Sequence, residues 1–139
     1  MIILGVDLGR ARTGLSICDK QERLAVPCCT ISERREEQLL EKIAEKAEER
    51  EAEMIVFGLP KNMDGSEGES AVHAREFAQR LEELTGLETV FFDERGTTIT
   101  AYNYLNDTKS YGKKRRDNVD MVAATIILQN YLDYRKNSR

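Results

Sequence analysis

The chain has little of what several common chemistries require. Of its 139 residues one is histidine, His73, and three are cysteines. Cys28 and Cys29 are adjacent, Cys18 stands apart and no C-x-x-C spacing occurs, so neither a disulfide framework nor a thiolate zinc site is supported. Buried, reduced thiols are the expectation. No apolar run approaches the roughly 20 residues of a membrane span. The opening MIILGVDLG lacks the basic segment and small-residue cleavage site of a secretory leader, and the expectation is a cytoplasmic protein with no membrane partner. Internal repeats and linkers are also missing. With 40% hydrophobic and 33% charged residues, one globular domain over residues 1–139 is expected.

Net charge is small, but the charges are unevenly placed. The net charge of −4 argues at first sight against a nucleic-acid partner. Residues 1–94, however, hold 12 basic and 21 acidic side chains, whereas residues 95–139 hold 9 basic and 4 acidic ones. A basic end can attract a phosphate backbone while an acidic remainder keeps the protein soluble. The run KKRR, Lys113 to Arg116, is the densest part of that end; on charge alone it reads equally well as a solvated loop.

Ile2 to Asp7 is apolar and β-branched without alternation, the mark of a strand buried on both faces. Gly9 and Gly14 bracket a turn, and strands over Thr13–Cys18 and Ala25–Ile31 complete a meander. An amphipathic helix follows Ser32, its expected cap, with Leu39, Leu40, Ile43, Ala44 and Ala47 on one side. Met54 to Pro60 is another buried strand. Ser66 and Glu69 form a capping box for a helix carrying Ala74, Phe77, Ala78, Leu81 and Leu84, which stops near Gly86. The stretch LETVFFDE is a fifth strand, Thr97–Leu105 a short helix, Asn106–Asp117 a polar basic loop and Asn118–Arg135 a last helix. This order predicts a three-layer α/β domain: a five-stranded mixed sheet, its later strands parallel to the first, with helices on both faces.

Open α/β sheets bind at the carboxyl ends of their parallel strands. Asp7 ends the first strand, the Gly58–Asp64 loop leaves the fourth, and Asp93 with Glu94 ends the fifth. The last helix adds an oddity, because its apolar stripe Tyr131, Ile127, Ala124 continues backwards to Asp120. An acid in the first turn of a helix complements the dipole, which is the plain explanation. An acid turned inward otherwise needs a metal or a basic side chain. Asp and Glu without His or Cys suit the hard ions Mg²⁺ or Mn²⁺, and two such ions support phosphodiester hydrolysis.

GVDLGRARTGLS, GLPKNMDGSEG, DERGTT and KKRRDNVDMVAATIILQNYLD, four ordered motifs spanning nearly the whole chain, resemble the YqgF family. Its members are described as pre-16S rRNA nucleases or Holliday junction resolvases with an RNase H-like fold. The resemblance implies catalytic, metal-binding roles for Asp7, Glu94 and Asp120, with one or two Mg²⁺ or Mn²⁺ ions. It places Arg12 and Arg95 on the family's recurrent arginines. It also favours RNA over branched DNA as the structured nucleic-acid partner, ribosomal precursor particles included. The RNase H superfamily often carries a carboxylate at the end of the fourth strand; GLPKNMDG stands there instead, so the number of ions stays open. Gly96 departs from the bulky residue expected in DERGTT.

Asp93 and Glu94 point to opposite faces of a strand, and the family match centres on Glu94. Nucleic-acid contacts are expected from Arg12, Arg95, Asn62, Lys113, Lys114, Arg115 and Arg116, with Lys109 beside them and Tyr102, Tyr104 and Tyr111 as stacking candidates. Arg12 and Arg95 are equally suited to pairing with the site's own acids. Asn62, Asp64 and Gly65 are also explained by a turn and helix start, and His73 by the edge of an apolar stripe. Two other classes fit part of the sequence. An actin-like ATP-binding domain shares the D-x-G-x-x-x-x-G form at Asp7, Gly9 and Gly14 but needs two lobes, and an RNA-binding assembly factor would not need the acids.

Overall fold

The computed structural model describes residues 1–60, 64, 66–93 and 112–138, with the backbone alone for 112–118. Apolar, β-branched stretches form β1 (Ile3–Asp7), β2 (Arg12–Cys18), β3 (Ala25–Ser32), β4 (Met54–Leu59) and β5 (Glu88–Asp93). The sheet order is β3-β2-β1-β4-β5, with β1 antiparallel to β2, β2 antiparallel to β3, and β1, β4 and β5 mutually parallel. The mixed sheet and its strand directions are those expected from the sequence. Three helices are described: α1 (Glu36–Glu49), α2 (Glu69–Thr85) and α3 (Gly112–Asn137).

Strand alternation sorts the core into two layers. Leu4, Val6, Leu15, Ile17, Ile55 and Phe57 face one way and meet Leu39, Leu40 and Ile43 of α1 and Phe77, Ala78 and Leu81 of α2. Ile3, Cys18, Met54 and Val56 face the other way and meet Leu128, Tyr131 and Leu132 of α3. Three layers result, with α3 the one described helix on its face. Leu84, expected on the α2 stripe, is exposed.

Several local expectations are corrected. Ser32 does not cap α1: it remains the last residue of β3, paired with Arg12, and Arg35 stands at the N-cap without a side-chain bond. The Ser66 capping box does not form either. The Ser66 hydroxyl donates to Asp64 Oδ1 at 2.6 Å and its N–H to the same oxygen at 2.9 Å, a local turn that competes with the cap, and Gly68 occupies the N-cap of α2. The stop at Gly86 is as expected, with φ 74° in the left-handed region. The basic segment 112–117 is helix, not loop, so α3 starts six residues before Asn118. Lys and Arg are good helix formers, and no Gly or Pro follows Gly112 to interrupt the turn. The expected Thr97–Leu105 helix lies outside the described residues. All three cysteines are free, but only Cys18 is buried. Cys28 and Cys29 are half-buried on the edge strand β3, where the ladder shifts from Leu15↔Cys29 to Ser16↔Pro27.

Candidate active site

Asp7 ends β1 with its Cα opposite Gly14 of β2. Gly14 lies inside β2, as the strand expected over Thr13–Cys18 implied, but it does not bracket the turn, and the reason it is glycine is α3. A Cβ on Gly14 would stand 2.0 Å from the Asp120 carbonyl oxygen and 2.3 Å from its carbon. The helix backbone therefore rests directly on the strand, and only glycine allows that approach. Gly9 retains the turn role, its missing Cβ leaving room for the Arg12 carbonyl oxygen.

Two residues further along β2, buried Ser16 donates its hydroxyl to the Ala124 carbonyl at 2.7 Å. Asp120 over Gly14, Ala124 over Ser16 and Leu128 beside Ile3 and Cys18 fix the course of α3. It runs parallel to β2 and antiparallel to β1, with its Asp120 end over the carboxyl end of β1. By alternation Asp7 shares the α3 face with Ile3 and Gly5. The two residues that the sequence placed 113 positions apart are thus brought to one corner of the sheet, each beside Gly14.

Asp120 lies eight positions into α3, so a first-turn dipole role does not explain it. Its inward carboxylate is met by a cation instead: Arg12 Nε donates to Asp120 Oδ2 at 2.9 Å, with side-chain exposures of 35% and 18%. This is the pairing expected for an inward acid with a basic partner. Ser16 and Gly14 were not foreseen as positioning residues. Their signal was present, a serine and a glycine on one face of a strand whose other face is Thr13, Leu15 and Ile17.

On β5, Val90 and Phe92 pack toward α3 while Phe91 packs toward α1 and α2, so Asp93 falls on the face away from Asp7. Glu94, Arg95 and Asn62 lie outside the described residues, as do Lys109, Tyr102, Tyr104 and Tyr111. Lys113, Lys114, Arg115 and Arg116 occupy the first turns of α3, leading toward Asp120. His73 is not part of this corner. It sits on α2, across the sheet, with Nε2 3.2 Å from Glu36 Oε1. Among the described residues no cluster of three His, Cys, Asp or Glu is assembled; Asp7 and Asp120 supply two carboxylates.

Over residues 1–134 the chain matches the family model described as RuvX, Holliday junction resolvase. It belongs to the RuvX family. Among RuvX relatives, a protein of Anaeromyxobacter sp. strain Fw109-5, named "Putative pre-16S rRNA nuclease", is 44% identical over 135 residues, covering 97% of this chain and 98% of its own. One of the same name from Picosynechococcus sp. is 41% identical, with 96% and 92% covered. These names agree with the motif resemblance. The Thermus thermophilus RuvC structure superposes with a TM-score of 0.61 at 12% identity, covering 99% of this chain and 97% of that one. The fowlpox virus Holliday junction resolvase does so at 0.57 and 12%, with 96% and 99% covered. The likeness to these structures is one of fold, in line with the RNase H-like sheet expected from the motif resemblance.

Proposed function

We propose that the protein is a metal-dependent endonuclease that hydrolyses phosphodiester bonds in structured nucleic acid, processing the 5′ end of precursor 16S ribosomal RNA in the cytoplasm. The observation that carries this reading is the corner where Asp7, Asp120 and Arg12 meet at the carboxyl end of β1. Relatives at 41–44% identity named for that RNA support the substrate class. Precursor ribosomal particles are the expected partner.

The donor set fits a hard divalent ion. Both described donors are carboxylates, and the described imidazole lies on the other face of the sheet. Asp7 and Asp120 would hold Mg²⁺ or Mn²⁺, one ion or two, with Glu94 as the third carboxylate; the placement of Asp93 on the opposite face favours Glu94. Such an ion supplies Lewis-acid stabilisation and a more acidic water. The chain's own contribution is to fix the carboxylates by packing α3 on Gly14 and to hold Asp120 Oδ2 on Arg12 Nε. Arg12 is half-exposed and can turn its remaining N–H donors to a phosphate. Lys113 to Arg116, with Arg95 and Asn62, would hold the flanking backbone. A second reading, resolution of branched DNA, is favoured by the family description as a Holliday junction resolvase.

The test is cleavage of precursor 16S RNA fragments and of four-way DNA junctions, in Mg²⁺ or Mn²⁺ and in chelator, by the parent and by Asp7→Asn. RNA cleavage should fall about a thousandfold with either chelation or substitution, by analogy with loss of a transition-state electrostatic group. Activity that survives both refutes the metal mechanism. Faster junction cleavage would move the substrate to DNA.

A further inference from the structure

A pair of arginines lines a cleft on the same sheet edge but on the opposite face. A cleft of about 590 Å³ opens between the β1–β2 loop, the end of β4 and the first turns of α1 and α2. Arg10 and Arg34 reach it from two sides over an apolar floor of Leu39 and Phe77. Both arginines are exposed and neither meets a carboxylate among the described residues. Their neighbours differ: Arg12, Arg35, Arg75 and Arg80 are each held by an acid. Two acids also line the cleft: Glu36, engaged by Arg80 at 2.9 Å and by His73 at 3.2 Å, and Glu69, in the first turn of α2. The helices that open here, α1 and α2, have no side-chain cap bond from their N-cap residues Arg35 and Gly68.

The cleft adjoins the carboxylate corner through the backbone. Leu8, Gly9 and Arg10 directly follow Asp7, and Val6 pairs with Phe57, which puts Gly58 of the cleft next to Asp7 across the ladder. A strand engaged at Asp7 needs to cross only the sheet edge to enter it. Resting on the nuclease reading above for its polymer, we propose that this cleft holds backbone phosphates of the bound nucleic acid on Arg10 and Arg34. The substrate then straddles the sheet edge, with the basic start of α3 on one side and the Arg10–Arg34 cleft on the other.

Binding, not cleavage, tests this. In full-length Asp7→Asn protein, fluorescence anisotropy with a labelled precursor 16S RNA fragment is compared before and after Arg10→Gln with Arg34→Gln. A charge-matched control carries Arg23→Gln with Arg50→Gln, exposed positions away from the cleft. Loss of two phosphate contacts should raise Kd about tenfold near 0.15 M salt and flatten the log–log salt slope by about 1.5, while the control stays within about twofold. Thermal unfolding of both variants should match the parent. Unchanged Kd and slope overturn the cleft and leave the nuclease reading standing, as does an equal loss in the control. Displacement of RNA by 10 mM inorganic phosphate (about that concentration, beyond chloride of equal ionic strength) would assign the cleft to free phosphate and overturn it as well. A parent that binds no RNA defeats both readings. Intact arginine dependence with metal-independent cleavage defeats only the mechanism.

Discussion

At each end, α3 is tied to the sheet side of the molecule by an arginine–carboxylate pair, and the two pairs look alike by distance. Arg12 meets Asp120 at 2.9 Å; Arg135 meets Glu22 at 2.7 Å. Their surroundings differ. At the far end the cation sits in the last turn of the helix, where it complements the dipole, and the acid comes from the β2–β3 connection. That pair is a fastening. At the near end the acid is on the helix, the backbone behind it is pressed onto Gly14, and Asp7 approaches from the neighbouring strand. An ion pair therefore does not mark a site. What sets the near pair apart is a carboxylate held in place by backbone contact beside a second carboxylate, the arrangement the proposed site needs.

Breaking the near end through its backbone should have the largest effect. In Gly14→Ala the new methyl overlaps the Asp120 carbonyl, which is backbone and cannot swing aside, so α3 must lift from the sheet. Destabilisation of about 3 kcal/mol is expected, in the upper range for overpacking. Cleavage by the folded fraction should drop at least about a hundredfold, because a misplacement of about 1 Å suffices for that. Urea unfolding and single-turnover cleavage measure the two effects. Gly14→Ala with normal cleavage would show that α3 packing does not set the site.

Arg12→Ala removes the partner and leaves the packing. Asp120, 18% exposed, then loses the bond from Arg12, at a cost of about 1 kcal/mol, in the range for exposed to half-exposed pairs. Mn²⁺ should restore part of this, so the thermal shift between chelator and metal is expected to be larger in Arg12→Ala than in the parent. Equal shifts in the two proteins would argue that the ion does not approach Asp120.

How much of this was readable beforehand follows the same division. Strands and their directions were legible because buried apolar runs such as Ile3–Val6 and Met54–Phe57 carry a strong local signal. Asp7 and Asp120 were legible as acids out of place, one at a strand end and one on an apolar stripe. The Gly14–Asp120 contact was not, since a glycine two residues into a strand resembles a turn residue until the helix above it is known. The start of α3 was missed because charge density was read as loop, although Lys and Arg propagate helices well. Caps failed for a similar reason: Ser32 and Ser66 have the right side chain, but strand pairing and the Asp64 turn claim them first.

The far end should show the smallest effect and the clearest pH signature. Glu22 is 10% exposed, and its carboxyl is held at about 2, down from an ordinary 4.5. The hydrogen bond from Arg135 is the main cause, with burial opposing and the chain's amino group adding to the shift. Glu22 also adopts φ 56°, a left-handed conformation that a non-glycine residue holds only against some strain, so the pair offsets a backbone cost as well. Because the folded pKa is depressed, the stabilisation is complete above about pH 4.5 and drains away as pH falls toward about 2. Glu22→Gln should therefore lower stability by on the order of 1 to 2 kcal/mol at pH 7, after allowance for solvent screening, and by progressively less at pH 4 and pH 3. Cleavage at neutral pH should be unaffected, since the site lies at the other end of the helix. A stability difference that stays constant across this range, or a loss of cleavage without loss of fold, would mean that the two ends of α3 are not independent and that the far pair also helps to set the position of Asp120.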